Sequence, residues 1–246
     1  MHVPDGVLSP AMCLATAPLA AAAVGVSLWK WRGELRQSPA TAPSIFQAAA
    51  VGNAVFALQM CNVAIPGEHF SGHILGGAFA TILLGPWAAC CVMAMILTIQ
   101  AGLFADGGLT ALGANIINMG VITCGVTTLM LRLTSVLQPT NKAVPQTLAY
   151  RYFIWFAATS ASVLAAVTSL ALQLALGATT EIDVSQTTLL LLQTHWPIAL
   201  GEGVATATGV AALVAFRGSR QAAVLMGLSL VLIMVAAPFA SELPDG

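Results

Sequence analysis

The N-terminal dipeptide, Met1-His2, carries nitrogen atoms that can bind one metal ion together. The α-amine and the His2 amide nitrogen close a five-membered ring with an ion, and the amide and imidazole Nδ1 close a six-membered ring. A fourth nitrogen would complete a square plane, the geometry typical of Ni²⁺ or Cu²⁺. Pro4 stiffens the backbone beyond the chelate, and Asp5-Gly6 is typical of a turn that folds the terminus back. The alternative is a solvated terminal histidine that binds nothing.

The fourth nitrogen has two candidates besides His2, because the chain has 4 histidines and two of them lie close together. His69 lies in a polar stretch, whereas His73 begins a glycine-rich segment in which backbones can approach closely. Either could supply the nitrogen, or be a solvated loop or helix-cap residue. The last histidine, His195, opens a predicted membrane segment beside Trp196; it is a further candidate to support the site, and the alternative is a residue that anchors the membrane interface.

Composition predicts the elements that must position these groups. Hydrophobic residues make up 58% of the chain and charged residues only 7%, against about 25% charged in a soluble domain. Apolar runs approach the ~20 residues that a membrane-spanning helix needs, and helices satisfy their own backbone groups in lipid. We therefore expect an all-α polytopic membrane protein, a bundle of about seven or eight transmembrane helices with an external N-terminus folded into the substrate site. The predicted segments are 10–29, 44–65, 73–85, 86–104, 112–134, 150–176, 193–216 and 221–240, with Gly85-Pro86 as a turn or kink.

The charge distribution predicts the orientation. With alternating passes, all 8 lysines and arginines fall on one side, which the bias of basic residues assigns to the cytoplasm. Most acidic residues fall on the other side, together with Met1 and the loops 66–72 and 105–110. No basic stretch precedes the first apolar run, so we expect no cleaved signal peptide and a chain that starts at Met1. The 5 cysteines have no regular spacing and are expected to be core residues.

Polar residues inside predicted membrane segments are candidates to support the ion site, because such groups are costly in lipid and usually face a bundle interior. They are Asn53, Gln59, Asn62, Gln100, Asn115, Asn118 and Glu202. Interhelical hydrogen bonding is an equally good explanation for the amides. Glu202 is the stronger functional candidate, because a lone carboxylate in a membrane is harder to explain structurally.

Several short blocks together resemble one known family. Met1-His2-Val3-Pro4-Asp5-Gly6 is similar to the start of the nickel and cobalt substrate-specific subunits, NikM and CbiM, of energy-coupling-factor transporters. Further similar blocks are 71–77, 84–87, 106–115 with 118–120, 195–197 and 201–203. These blocks extend over residues 1 to about 217, and it is their combination that makes the resemblance specific.

The resemblance implies a ligand set and partners. It implies an ion held by the Met1 amine, the His2 amide and imidazole, and His73 as the fourth ligand, although the segment 66–73 carries one residue more than the family pattern. The implied partners are a transmembrane coupling subunit, two ABC ATPase subunits and a small two-helix accessory subunit. The chain would divide into a metal-binding transmembrane domain, 1–217, and an additional helix, 218–246, that resembles the start of a fused accessory module.

The function expected from these features is nickel capture and translocation in a prokaryotic cytoplasmic membrane, with the N-terminus on the external side. Cobalt transport by the same mechanism is the alternative, and a membrane scaffold or redox subunit is a second one. The chain contains no Walker A motif, so any ATP hydrolysis would belong to a partner and the chain itself is not expected to be an enzyme. Ni²⁺ or Co²⁺ would be the substrate; neither a resident cofactor nor a nucleic acid partner is expected, and membrane lipid would surround the bundle.

Overall fold

The computed structural model describes residues 2–61, 63–64, 71–136, 147–179 and 182–215. Seven α-helices and one π-helical segment form a bundle. The helices are α1 (Pro10–Gln37), α2 (Ile45–Gln59), α3 (Gly77–Leu103), α4 (Leu112–Asn115), α5 (Thr123–Val136), α6 (Leu148–Gly177) and α7 (Val184–Ala215). The π-helical segment, Ile116–Ile122, joins α4 to α5, and the strands β1 (Val63–Ala64) and β2 (Ser71–Gly72) pair antiparallel.

The helices confirm the predicted fold class. Within the described residues, five helical runs are long and apolar enough to cross a membrane, with α4, the π-helix and α5 counted as one continuous run. The sixth, α2, is shorter but equally apolar. Local signals explain where helices begin: the Ser9 hydroxyl caps α1 ahead of Pro10, and Ser44 and Gln47 form a capping box at the start of α2.

The helix α3 is broken at Gly85, where φ is 73° and ψ is 167°. A straight helix of 27 residues would be about 40 Å long. Residues just beyond both of its ends nevertheless reach His2: the rings of His2 and His73 are 4.6 Å apart, and a Cβ placed on Gly107 would lie 3.3 Å from His2 Cβ. The two arms, 77–84 and 86–103, therefore fold back on each other. The predicted boundary at Gly85-Pro86 is correct, but the first arm begins at Gly77 rather than at residue 73.

Three other predicted boundaries were wrong. The first segment was expected to end at residue 29, but α1 continues to Gln37. The second segment was expected to reach residue 65, but α2 ends at Gln59 because Val63 and Ala64 pair with β2 instead. The seventh was expected to begin at residue 193, but α7 begins at Val184, where the Asp183 carboxylate accepts a hydrogen bond from the Gln186 N–H. Polar residues in this first turn lowered the hydropathy and hid the helix start. The predicted segment 221–240, and with it the proposed module 218–246, lies outside the described residues.

Charged residues divide between the two ends of the bundle. One end is marked by His2 and by the start of α1, where the Ser9 N–H donates to the carbonyl of Gly177 at 2.8 Å. This end also holds Asp5, Asp106 and Asp183. The opposite end holds Lys30, Arg32, Arg36, Arg132 and Arg151, together with Glu34. The described basic residues thus lie at one end, as their spacing predicted. Among the described acids, Glu34 shares that end and Glu202 is buried within α7.

Close packing of α1 against α4 yields a stability prediction at Gly113. A Cβ there would lie 2.6 Å from the backbone nitrogen of Ala17, so the two helices would have to move apart. We expect Gly113→Ala to destabilise the protein by about 1–3 kcal/mol, the usual cost of overpacking. Gly125→Ala is the matched control, because a Cβ at that helical position meets nothing within 4 Å. Melting in detergent should show a lower temperature for the first variant only; equal melting temperatures would contradict this packing.

Candidate metal site

The N-terminal segment is inserted into the bundle and held by Asn115. Val3 is fully buried and His2 is 4% exposed. The Val3 N–H donates to Asn115 Oδ1 at 2.9 Å, and Asn115 Nδ2 donates to the Val3 carbonyl at 3.1 Å. One side chain thus satisfies both backbone groups of the residue next to His2. Because these groups are buried, leaving them unpaired would cost free energy, which favours the docked position.

The loop 105–111 holds the same segment from another side. The Gly108 N–H donates to the Val3 carbonyl at 2.8 Å. The Asp5 carboxylate accepts hydrogen bonds from the Leu109 N–H at 3.2 Å and from both the N–H and the hydroxyl of Thr110. The hydrogen bond from the Thr110 hydroxyl, together with these backbone donors, lowers the pKa of Asp5 below its usual value. A side chain at Gly108 would collide with Asp5, since a Cβ there would lie 2.5 Å from the Asp5 nitrogen.

A third set of contacts joins the segment to the loop between α6 and α7. The Thr179 N–H donates to the Val7 carbonyl at 3.0 Å, and the Thr179 hydroxyl donates to the Gly6 carbonyl at 3.0 Å. Leu8 forms an isolated antiparallel bridge with Ala178. Residues 3–9 are therefore bound on three sides, and this arrangement brings His2 to a defined place within the bundle.

At that place, the imidazole of His2 stacks on the imidazole of His73. The ring centroids are 4.6 Å apart and the planes are inclined by 22°, with both side chains almost fully buried. His73 Nδ1 lies 2.9 Å from the Ile74 carbonyl, which can only accept, so Nδ1 carries the hydrogen and Nε2 keeps its lone pair. That Nε2 atom is buried and has no hydrogen-bond partner. Burial lowers the pKa of His73 well below its usual value, which keeps the ring neutral and able to bind a cation.

The His2 ring has both a carboxylate neighbour and unsatisfied nitrogens. Its Nδ1 lies 3.0 Å from Asp106 Oδ1, close enough for an ion pair if the ring is protonated. The angles do not make this contact a hydrogen bond, so both ring nitrogens remain without one. A small rotation of the ring would align the two groups. The arrangement places a carboxylate next to any cation that His2 binds.

The loop that carries His73 is held by two side chains from other helices. Glu202 of α7 accepts hydrogen bonds from the Leu75 N–H at 2.7 Å and from the Gly76 N–H at 2.8 Å. Gln59, the last residue of α2, donates from Nε2 to the Leu75 carbonyl at 2.6 Å. Both residues were predicted as supports of the site, and both bind the backbone two or three residues after His73.

His195 lies in the interior and not at the membrane interface, so the interface interpretation was wrong. It is fully buried within α7, and its Nδ1 lies 2.9 Å from the Leu191 carbonyl one turn earlier. Nδ1 therefore carries the hydrogen, and the buried Nε2 atom has no hydrogen-bond partner. The late predicted start of α7 caused the error, because it placed His195 at a helix end.

Several candidate site residues carry buried polar atoms that have no hydrogen-bond partner. Most buried polar groups in proteins are hydrogen-bonded, and exceptions call for an explanation such as an ion. On the candidate site residues, the buried atoms without a hydrogen-bond partner are His2 Nδ1 and Nε2, His73 Nε2, His195 Nε2, Gln59 Oε1, and Gln100 Oε1 and Nε2. Three or more His, Cys, Asp or Glu side chains do not surround a common point within the described part of the chain. The sequence predicts further ligands at the Met1 amine and the His2 amide nitrogen.

Comparison with known proteins identifies the family. Residues 2–220 match the family CbiM, described as the cobalt uptake substrate-specific transmembrane region. The chain belongs to the CbiM family. The sequence resemblance is therefore confirmed.

Relatives and solved structures of the CbiM family agree with this. The chain is 45% identical over 122 residues to a putative fused nickel transport protein of Archaeoglobus fulgidus, and 40% identical over 122 residues to a fused nickel transport protein of Rhodobacter capsulatus. These alignments cover 50% of the chain but only 38% and 33% of those relatives. A crystal structure described as a transition metal transporter is 27% identical, covers 94% of this chain and 99% of its own, and superposes with a TM-score of 0.68.

The remaining predicted site residues of this CbiM-family chain do not converge on His2 and His73. Asn53 is exposed on the surface of α2 and cannot support the site, so that prediction was wrong. Asn118 lies in the π-helix and binds Gln173 and Ser169 of α6, the interhelical role that was the alternative. Met1, Asn62 and His69 lie outside the described residues.

Two important residues were not recognised as site residues. Asp5 was interpreted only as part of a turn, and Asp106 only as an acidic loop residue that matched the family pattern. The short spacing of Asp106-Gly107-Gly108 was the available signal, because glycines often mark places where another backbone passes closely. The partner backbone, residues 3–5, lies about a hundred positions away in sequence, so no local pattern could identify it.

The two asparagines provide a matched test of this geometry. Asn115→Ala removes both hydrogen bonds to Val3, and we expect it to weaken Ni²⁺ binding by about 10–100-fold, the range seen when residues that orient metal ligands are replaced. Asn118→Ala removes a comparable buried amide that binds α6 only. It should lower the melting temperature and leave the affinity unchanged. Titration calorimetry and thermal melting of both variants check this, and equal affinity losses would contradict a docking role for Asn115.

Proposed function

We propose that this chain captures Ni²⁺ as the substrate-binding component of an uptake transporter. The observation that carries the proposal is the buried His73 Nε2 atom, which has a lone pair and no hydrogen-bond partner, on a ring whose centroid lies 4.6 Å from that of the His2 ring. A neutral buried imidazole with an unused nitrogen is costly unless a ligand binds it. Relatives described as nickel transport proteins support this class of substrate.

The proposed ligands are the Met1 amine, the His2 amide nitrogen and Nδ1, and His73 Nε2. Four nitrogen donors in a plane suit Ni²⁺. The amine, the amide and the imidazoles bind an ion only in their deprotonated forms, so affinity should increase with pH. The Asp106 carboxylate, 3.0 Å from His2 Nδ1, would lie beside the bound ion and balance its positive charge.

Cobalt is the second candidate substrate, because the family description names cobalt uptake and a CbiM-family protein of Sorangium cellulosum described as a cobalt transport protein is 36% identical over 121 residues. The same nitrogen ligands bind Co²⁺, although divalent affinities usually rise from cobalt to nickel. We favour nickel because a planar set of nitrogen ligands matches its preferred geometry.

Membrane orientation and partners complete the proposal. The end that holds His2 faces the outside of a prokaryotic cytoplasmic membrane, and the end that holds Lys30 and Arg32 faces the cytoplasm, following the bias of basic residues. Transport is driven by a transmembrane coupling subunit and two ABC ATPase subunits, with a small two-helix accessory subunit as a further partner. The resemblance to energy-coupling-factor substrate-specific subunits supports this assembly.

The decisive experiment is calorimetric titration of Ni²⁺, then Co²⁺, into detergent-purified protein that starts at Met1. We expect one ion to bind per chain, with Ni²⁺ tighter than Co²⁺, and His2→Ala to abolish tight binding without loss of the fold. Melting temperature serves as the folding control. If the wild type binds neither ion, the proposed function is wrong.

A further inference from the structure

Glu202 is a buried carboxylate that holds the His73 loop through two backbone hydrogen bonds. It is 1% exposed, and each of its oxygens accepts from a different N–H, Leu75 at 2.7 Å and Gly76 at 2.8 Å. Gly76 is the residue that precedes α3, so these are N–H groups at a helix start, where a negative charge is favourable. The interaction connects residues 126 and 127 positions apart in sequence, so it joins α7 directly to the loop.

The loop has little freedom around this interaction. Gly76 has a φ of 75°, and a Cβ there would lie 2.5 Å from Val55 Cγ1, so α2 packs closely against the loop. Gln59 holds the Leu75 carbonyl at 2.6 Å. Leu75 is only two residues after His73, whose ring is itself held by the Ile74 carbonyl. A movement of Glu202 would therefore be passed along a short, confined backbone to the His73 ring.

The charge of Glu202 also lacks a cationic partner inside the protein. Across residues 2–61, 63–64, 71–136, 147–179 and 182–215, no lysine or arginine forms an ion pair with it. A carboxylate within a membrane helix is costly, and such residues usually serve an ion or a substrate. A divalent ion bound to His73 would supply positive charge close to Glu202, because His73 is two residues before Leu75, which Glu202 contacts.

We propose that Glu202 is a positioning residue that holds His73 Nε2 in the ligand plane and thereby makes the site prefer Ni²⁺ to Co²⁺. This inference rests on the proposed function. Ni²⁺ gains most from a fourth nitrogen fixed in the plane, because square-planar nitrogen coordination is typical of it. Co²⁺ lacks this strong preference and loses less when the fourth ligand becomes mobile or is replaced by water.

The test compares Glu202→Gln with Ser160→Ala. The glutamine keeps the size of the side chain but offers one acceptor oxygen, so one of the two N–H groups loses its partner. Ser160 donates to the Ala199 carbonyl at 3.0 Å, one turn of α7 before Glu202, and its removal breaks a contact between α6 and α7 that does not involve the His73 loop. Both variants are purified full length with a native N-terminus and titrated with Ni²⁺ and with Co²⁺.

We expect Glu202→Gln to weaken Ni²⁺ binding by about 10–100-fold and Co²⁺ binding by clearly less, so that the ratio of the two dissociation constants moves toward one. The visible spectrum of bound nickel should also lose the absorption of a planar four-nitrogen complex. Ser160→Ala should keep the wild-type ratio and spectrum. A merely structural role would weaken both ions equally and would leave the spectrum unchanged.

Glu202→Asp is a second test variant for the case that Glu202→Gln does not fold. It keeps the charge but shortens the side chain by one methylene, which moves the carboxylate away from the two N–H groups. Its ratio of dissociation constants should also move toward one. An unchanged ratio in whichever of the two variants folds, alongside tight nickel binding by the wild type, would overturn the role of Glu202. Absence of binding by the wild type would instead overturn the proposed function.

Discussion

Adding residues before Met1 should abolish tight Ni²⁺ binding while the protein remains folded. An extension of several residues converts the α-amine into a peptide nitrogen, which is a weaker donor because it must lose its amide proton before it can bind an ion. It also has to fit beside His2, which is only 4% exposed in the bundle. We expect the affinity to fall by more than about 100-fold, beyond the loss seen for residues that merely support ligands.

The measurement is titration calorimetry of Ni²⁺ into protein with a native start and into protein with a short N-terminal extension. Cleavage of the extension to leave Met1 as the first residue is the control, because it should restore the affinity of the same preparation. Tight binding by the extended chain would show that the amine is not a ligand and would require a different donor set.

Replacement of His73 by alanine should have an effect of the same size. It removes the fourth nitrogen, and the remaining chelate would have to bind the ion with water or another group. His73 is the loop histidine that stacks on His2, and its Nε2 has no other partner, so we expect a loss of more than about 100-fold. The visible spectrum of bound nickel should change with the donor set, which separates loss of a ligand from loss of the fold.

His69→Ala is the matched control for this variant. The sequence left both loop histidines as candidates for the fourth ligand, and His69 lies outside the described residues. Calorimetry on the two variants should show wild-type affinity for His69→Ala and weak binding for His73→Ala. The reverse result would move the fourth ligand to His69, and losses in both would indicate that the whole loop is needed.

Much of the fold was predictable because a membrane restricts what a chain can do. Apolar length alone located α1, α6 and most of α3, since helices are the structures that satisfy their backbone in lipid. The turn within α3 was also predictable, because Gly85 adopts a positive φ that favours glycine and Pro86 follows it. The boundaries of α2 and α7 were not, because a strand pairing and a polar first turn decided them.

The supports of the candidate site were only partly predictable. Glu202, Gln59 and Asn115 were selected as intramembrane polar residues, and the structure brings all three to the backbone around His2 or His73. The same rule selected Asn53, which is exposed, and Asn118, which holds α6. Hydropathy marks a polar residue as unusual, but the direction in which it points depends on the rotation of its helix.

The sequence by itself determined the class of this protein and the chemistry available to it. Composition required a membrane bundle, the Met1-His2 dipeptide predicted a chelate, and the family blocks identified the CbiM family. These properties depend on residue types and short spacings, which are local and can be recognised in one dimension.

Only the tertiary structure decided which groups meet. Three contacts show this: His2 stacks on His73, Val3 hydrogen-bonds to Asn115, and Leu75 hydrogen-bonds to Glu202. The paired residues lie between 71 positions apart, for His2 and His73, and 127 positions apart, for Leu75 and Glu202. The physical reason is that buried backbone groups must find partners, and partners from distant segments become available only when the helices have packed. The same packing moved His195 from an expected interface position into the interior.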